Sequence, residues 1–488
     1  MELRAMLLAA GWVSDRAVGS KHALRVVQEY RAQSGIAAAA RLRFLGRPLA
    51  LVLGVMVASI AWVFRGSARG PSPMRALVTF ATSLAYALGL ANAENRKNDL
   101  AELVPLVDPF GTFTKRVPYA IYLVSHAFPD ILYGRLDAAA TRLSRALEIF
   151  QRDRFAVATE TERRFAEAGV RGLRVLVDVN QFDPRVHEDC AAIDELGFRY
   201  YRLVVQATKA VHHRYRGEES KAQAIERAME VPSIQLGSWS TDIQILMFAH
   251  PAYALTHDVL GLERCIVAFE RLIPQGFQYE TRLAITRAEW HRERGDPAEG
   301  VRILAPVVGA LEPDDQLMRQ SGGAALAECL LAAGRVDDAR SHAETVIELG
   351  KRPEGPIMLA QMRARRVLAV ALDQLGEGER AKAILREATT ECESMDIPPL
   401  AGAMHEARAR IALREGDREA YRFHATEMLR WLRPTENAAL LGFAERLLEA
   451  GTATGAAGDP SQGTGPTLID TAIDQPSQRS SDSGSGKT

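Results

Sequence analysis

From Leu100 to Ala450, apolar residues recur three and four positions apart, and short charged runs interrupt them at regular intervals. Ala381, Ile384, Leu385 and Ala388 form one such stripe. It follows the turn-like segment at Gly376, with charged residues between. The runs at 292–304, 330–344, 372–388 and 413–429 share this phrasing. No period-2 run of β-branched residues is long enough for a sheet, and Val175–Val179 reads as helix. The pattern predicts helices joined by tight turns.

The turns carry a finer pattern. Seven glycines have an alanine seven residues upstream: Ala127/Gly134, Ala210/Gly217, Ala254/Gly261, Ala288/Gly295, Ala327/Gly334, Ala369/Gly376 and Ala409/Gly416. Five of them have a small residue five positions later: Ala139, Ala222, Gly300, Ala339 and Ala381. Glycine spacings of 83, 44, 34, 39, 42 and 40 imply a period of about 40, with one degenerate unit near Gly172. The alanine lets a second helix come close, and the glycine supplies the positive φ that ends the first helix. The next small residue seats the returning helix. Asp296, Asp337 and Asp417 stand where an N-cap or first-turn acid is favoured. The expected fold class is all-α: an α-solenoid of roughly eight helix pairs, with a disordered C-terminal tail.

Composition narrows the function classes. The 488 residues are 47% hydrophobic and 25% charged, with a net charge of −1. No basic field argues for nucleic acid. Arginine outnumbers lysine 52 to 8, which reads as coding bias. Cys190, Cys265, Cys329 and Cys392 are widely separated, so they read as buried hydrophobes and not as a disulfide or zinc framework.

Four regions follow. Residues 1–45 read as N-terminal helices, a truncated repeat or cap, with no secretory signal. Residues 46–95 hold two uncharged stretches, 48–64 and 76–93, flanked by arginines. They read as a buried helix pair, or as a membrane hairpin with its arginine loop in the cytoplasm. Residues 96–450 form the repeat array. Residues 451–488 hold seven glycines, six serines, six threonines and no aromatic residue, too little apolar surface to order itself.

The repeats resemble tetratricopeptide repeats. Ala327, Gly334 and Ala339, and Ala369, Gly376 and Ala381, match that family's small–glycine–alanine signature. Leu326, Leu330, Leu368 and Leu372 match hydrophobic positions of its first helix. The signature is clear over 251–420 and weak over 100–250, and the period of about 40 exceeds the family's 34. That length is similar to the repeat regions of large bacterial signalling proteins. There, a serine/threonine kinase, cyclase or ATPase module precedes the array. The resemblance implies a scaffold in bacterial signalling whose partner is a serine/threonine kinase or other signalling protein. It implies a cytoplasmic location, or an inner-membrane anchor with the array in the cytoplasm.

No catalytic constellation is legible. A phosphate-binding loop, kinase triplets, GxSxG and HExxH are all missing, and the terminal Gly-Lys-Thr lacks a strand before it. His212 and His213 point to different sides of a helix; His250 and His257 stand two turns apart. No metal, cofactor or catalytic residue is assigned, and the chain reads as a non-enzyme, a helical enzyme with an unrecognised site being the rival.

The candidate ligand is a protein or peptide. First helices of such arrays line the concave face, and here they carry Arg282, Arg287, Arg363, Arg365, Arg366, Arg408 and Arg410. Stacked guanidinium groups suit carboxylates or phosphorylated side chains; pairing with Glu289, Glu293 or Glu406 is the plainer role. In the tail, Thr467 and Thr471 each precede an acid by three residues and are candidate phosphosites.

Overall fold

A computed structural model describes residues 97–105, 117–152, 160–236, 249–275, 278–435 and 437–453. The segments 1–45, 48–64 and 76–93, and Thr467 and Thr471, lie outside them. Among the described residues there is no strand, and no helix is long and apolar enough to cross a membrane.

The chain is an all-α solenoid of helix pairs, tetratricopeptide-like in its packing. After a short α1 (Lys97–Leu103), the first pair is α2 (Val117–Tyr133) and α3 (Leu136–Arg152). Then come α4 (Glu160–Gln181) with α5 (Arg185–Leu196), and α6 (Arg199–Tyr215) with α7 (Glu219–Leu236). The fourth pair joins a helical segment ending at 255 to α8 (Val259–Leu272). Next are α9 (Glu280–Glu293) with α10 (Pro297–Gly309), and α11 (Gln316–Ala332) with α12 (Val336–Gly350). The last two are α13 (Met358–Gln374) with α14 (Gly378–Ser394), and α15 (Pro398–Glu415) with α16 (Arg418–Leu432). A final helix, α17, spans Ala438–Ala453.

The small-residue pattern is the packing code. Ala127, Ala210, Ala288, Ala327, Ala369 and Ala409 each have 0% exposure, as do Ala139, Ala222, Ala339 and Ala381 on the returning helices. At Gly300 a Cβ would sit 2.9 Å from the Ala288 carbonyl oxygen, so α9 and α10 touch backbone to side-chain position. Asp296 and Asp417 cap their helices by accepting from the Glu299 and Ala420 amides, and Asp337 lies in the first turn of α12. Residues 175–179 lie within α4.

Two expected turns are placed differently. Gly261 is inside α8, and the fourth turn is made by His257 at φ 56°. Gly261 answers another need: a Cβ there would lie 2.3 Å from the Tyr253 ring. Gly172 is inside α4 against Tyr201; the second turn uses Phe182 at φ 54°, just before Pro184 caps α5. Counted from the true turns, the fourth pair buries His250 and Leu262 where its neighbours bury alanine or glycine, so its sequence signature is weaker.

The array winds back on itself. Gly134, in the first turn, packs on the start of α11, where its Cβ would lie 2.6 Å from the Leu317 backbone nitrogen. Gly217, in the third turn, packs on Thr435 and Pro399 in the same way. Beside it, Arg216 donates to the Asp396 carbonyl oxygen at 2.7 Å. Asn437 donates to the Thr256 carbonyl oxygen at 3.2 Å. Helix α2 touches α11 and α4 touches α13, so pairs one and two close over the inner face of pairs six and seven.

Enlarging a contact alanine should therefore destabilise the array. Ala369→Leu is expected to cost about 1–3 kcal/mol by overpacking. Ala305→Leu, on the exposed side of α10, should stay within about 0.5 kcal/mol of the parent. Urea denaturation followed by circular dichroism distinguishes the two.

Candidate functional site

The first helices of pairs five to eight carry charged residues inside an otherwise apolar face. Glu289 and Glu328 are 0% and 5% exposed, and Arg292 and Arg363 are 5% and 7%. Charges buried so deeply must be paired. Here they form a ladder running across the repeats. His257 Nδ1 lies 2.7 Å from Glu293. Arg292 joins Glu293 at 2.5 Å and Glu328 at 3.4 Å. Glu328 takes both arms of Arg363, at 2.7 and 3.1 Å, and one arm of Arg366 at 3.2 Å. Arg366 reaches Glu406 at 4.0 Å, and Arg410 donates to Glu406 at 2.9 Å. Glu289 is 2.8 Å from Arg363, but neither of its oxygens accepts an aligned hydrogen bond.

The ionisation pattern follows. Burial would raise the Glu328 carboxyl, but Arg363, Arg292 and Arg366 hold it well below the usual range near 4.5. Burial likewise opposes Glu293, which Arg292 and His257 keep low. At Glu289 burial prevails over Arg363 and Arg292, and its carboxyl is raised. Burial would lower the Arg363 guanidinium, yet Glu328 and Glu289 hold it above its ordinary value. A second clasp lies beside the ladder. Gln320 accepts from the Ile357 amide at 2.9 Å and from Gln361 at 2.8 Å, and donates to the Gly355 carbonyl oxygen at 3.1 Å.

The candidate arginines divide by position. Arg363 is enclosed within the ladder, with Tyr215 and Arg282 nearby. Arg282 is half-buried beside Tyr279 and Asp315, and burial pushes its guanidinium down. Arg287 is exposed and 2.5 Å from Glu270; Arg365 is 2.5 Å from Glu391. Arg408 is half-buried near Glu393, its guanidinium also lowered by burial. Arg366 and Arg410 keep about a quarter of their side chains exposed, at 24% and 26%. The structure thus gathers Arg363, Arg366 and Arg410 on one ladder and leaves Arg287 apart.

The remaining chemical groups are placed as follows. His250 packs on Phe269, whereas His257 is in the turn, so the two do not share a helix face. His212 meets His187 edge to face and His213 faces Glu218 at 2.5 Å. The four cysteines are free and buried. A cavity of about 160 Å3 opens where the third and fourth turns meet the end of α16, lined by Arg214, Glu219, Asp258 and Asn437 among others. Its acids are engaged, Glu219 by Arg214 and Asp258 by the Gly261 amide. Sequence reasoning missed Glu328 and Gln320, although each is a polar residue in an apolar first helix. It also missed a cluster of Glu393, His405 and Glu427, which come from three helices.

No protein-family model matches the chain, and no curated protein does. Among solved structures, NprR in complex with its cognate peptide NprX aligns with a TM-score of 0.44 at 12% identity. That alignment covers 68% of this chain and 99% of NprR. The APC/C hetero-tetramer Cut9–Hcn1 aligns with a TM-score of 0.44 at 12% identity, covering 93% of this chain and 89% of that one.

Glu328→Gln should leave three guanidinium groups without their shared carboxylate. The expected loss is about 3–5 kcal/mol of unfolding free energy. Because the folded Glu328 carboxyl titrates below its unfolded value, its contribution is full above about pH 4.5 and fades as pH falls through the folded value. Urea unfolding across this range should show a shallower acid slope for the variant than for the parent.

Proposed function

We propose that the chain is a non-catalytic interaction scaffold whose ligand is a protein segment. The observation that carries this reading is the row of first helices from α9 to α15, joined by ionised side chains and continuous across four repeats. A solenoid presents such a row as one extended surface, and extended surfaces suit segments better than small molecules. The ligand class that fits is an acidic or phosphorylated segment, with Arg366 and Arg410 as first contacts. Arg408 lies on the same helix as Arg410. Arg363 and Arg282 act from behind, and Arg287 at the margin. Pairs one and two close over pairs six and seven, while Arg366 and Arg410 keep about a quarter of their side chains exposed.

Each guanidinium already has a carboxylate partner, so binding is an exchange. An incoming phosphate or carboxylate takes Arg366 or Arg410 from Glu406, the more exposed end of the ladder, and leaves the Glu328–Arg363 pair intact. The partner is a signalling protein of the serine/threonine kinase type in this reading, acting in bacterial signalling. Thr467 and Thr471 are proposed phosphosites, and segments 48–64 and 76–93 a covered helix pair. A cytoplasmic location fits that arrangement; membrane insertion of 48–64 and 76–93 would make the chain an anchored adaptor.

A displayed peptide library panned against the whole chain tests the ligand class. Acidic or phosphorylated sequences should be enriched, with binding that weakens as salt rises. The triple variant Arg366→Gln, Arg408→Gln, Arg410→Gln should lose more than tenfold in affinity, since each charge-assisted contact contributes about 1.5–3 kcal/mol. Equal enrichment by the variant would reject the basic inner face. Enrichment of apolar sequences would reject the acidic ligand.

A further inference from the structure

The packing of pairs seven and eight assembles a group outside the ladder, with Arg408 of the proposed ligand set beside it. Glu393 lies near the end of α14, His405 in α15 and Glu427 in α16. One ligand-type atom from each falls within 4.8 Å of the other two. His405 is 2% exposed, so its ring is fixed by packing. Its Nε2 is 3.1 Å from Glu393 Oε1, and its Nδ1 is 3.2 Å from Nδ1 of His424, itself 7% exposed. The two glutamates retain solvent access, with side chains 37% and 20% exposed.

Donor chemistry explains why this arrangement suits a cation. If the His405 Nδ1–H donates to His424 Nδ1, the His405 Nε2 lone pair points at a carboxylate. The opposite tautomer, with Nε2–H donating to Glu393 Oε1, satisfies both contacts without an ion, and a cation between Nε2 and Glu393 selects the first. A metal-bound histidine makes this very arrangement, donating its other ring N–H to a neighbouring acceptor that fixes its tautomer. We propose that Glu393, His405 and Glu427 form a binding site for a divalent transition-metal cation, with Zn2+ the best fit, oriented by His424. One imidazole and two carboxylates with an open position toward solvent make a mixed N/O donor set that Zn2+ and other first-row divalent ions accept. Ligands about 2.0–2.2 Å from one ion must stand closer together than 4.8 Å, so the Glu427 carboxylate has to move toward His405 and Glu393.

The surrounding charges permit it. Arg408 on α15 lies near Glu393, His405 and His424, with Arg386 on α14 near Arg408, and Glu427 is 2.6 Å from Arg430. Arg430 is 64% exposed and keeps its place over the Trp431 ring, so releasing Glu427 costs little. The bound ion would join α14, α15 and α16, locking pair seven to pair eight.

The test uses the full chain, stripped with chelator and titrated with Zn2+ by calorimetry against a weak competing chelator. One equivalent should bind, and the melting temperature should rise with Zn2+. Glu393→Gln and Glu427→Gln, both at solvent-accessible carboxylates, should each lower affinity at least tenfold, and the double variant should abolish the equivalent. His424→Gln should weaken binding about 10–100-fold without removing a ligand. Co2+ should give visible bands that the double variant lacks. Circular dichroism and chelator-treated melting temperatures matching the parent show that the variants fold. The site is overturned if the parent takes up no Zn2+, if the double variant binds as the parent does, or if Mg2+ binds equally well.

Discussion

Two helices of one repeat approach closely only where one of them carries nothing larger than a methyl group, and the array rests on that constraint. Ala288, Ala327 and Ala369 stand at the same offset before Gly295, Gly334 and Gly376, and all three are fully buried. The shared offset gives successive pairs the same crossing and so places their first helices side by side. Without that regularity, Glu328 on α11 could not stand between Arg292 on α9 and Arg363 on α13. The charged ladder is thus a consequence of the alanine spacing.

A buried ladder of this kind contributes register more than stability. Well-packed apolar residues in its place could stabilise the array equally. A slip by one helical turn, however, would leave an ionised group in the core without its partner. Glu289 shows the tension: burial outweighs its arginine neighbours and raises its carboxyl, while Glu328, with three guanidinium groups around it, stays ionised. The Gln320–Gln361 clasp does the same work without charge, fixing the loop between α12 and α13 against α11.

Closure of the array covers part of its inner face. Contacts between α2 and α11 and between α4 and α13 fill the space an open solenoid would leave. Arg363 lies behind that closure, near Tyr215. Arg366 and Arg410 remain partly exposed. Equal spacing in the chain therefore does not give equal roles to its arginines.

Local preferences read from the sequence alone determined the helices, most of the turns, the capping aspartates and the buried cysteines. Each depends on residues within one or two turns of one another, where side-chain size and backbone φ decide the outcome. The exceptions are instructive. Gly261 looks like a turn residue but is small because the Tyr253 ring packs on it, and Gly172 lies inside α4 in ordinary contact with Tyr201. Only the tertiary structure decided the partners that join distant residues. Glu328 meets Arg363 from 35 residues away, and Arg216 meets Asp396 from 180. Glu393, His405 and Glu427 come together because three helices pack at one angle, and no spacing along the chain encodes that angle. Charge pairing and ligand geometry depend on distance in space, which hydrophobic periodicity constrains only as far as the nearest helix.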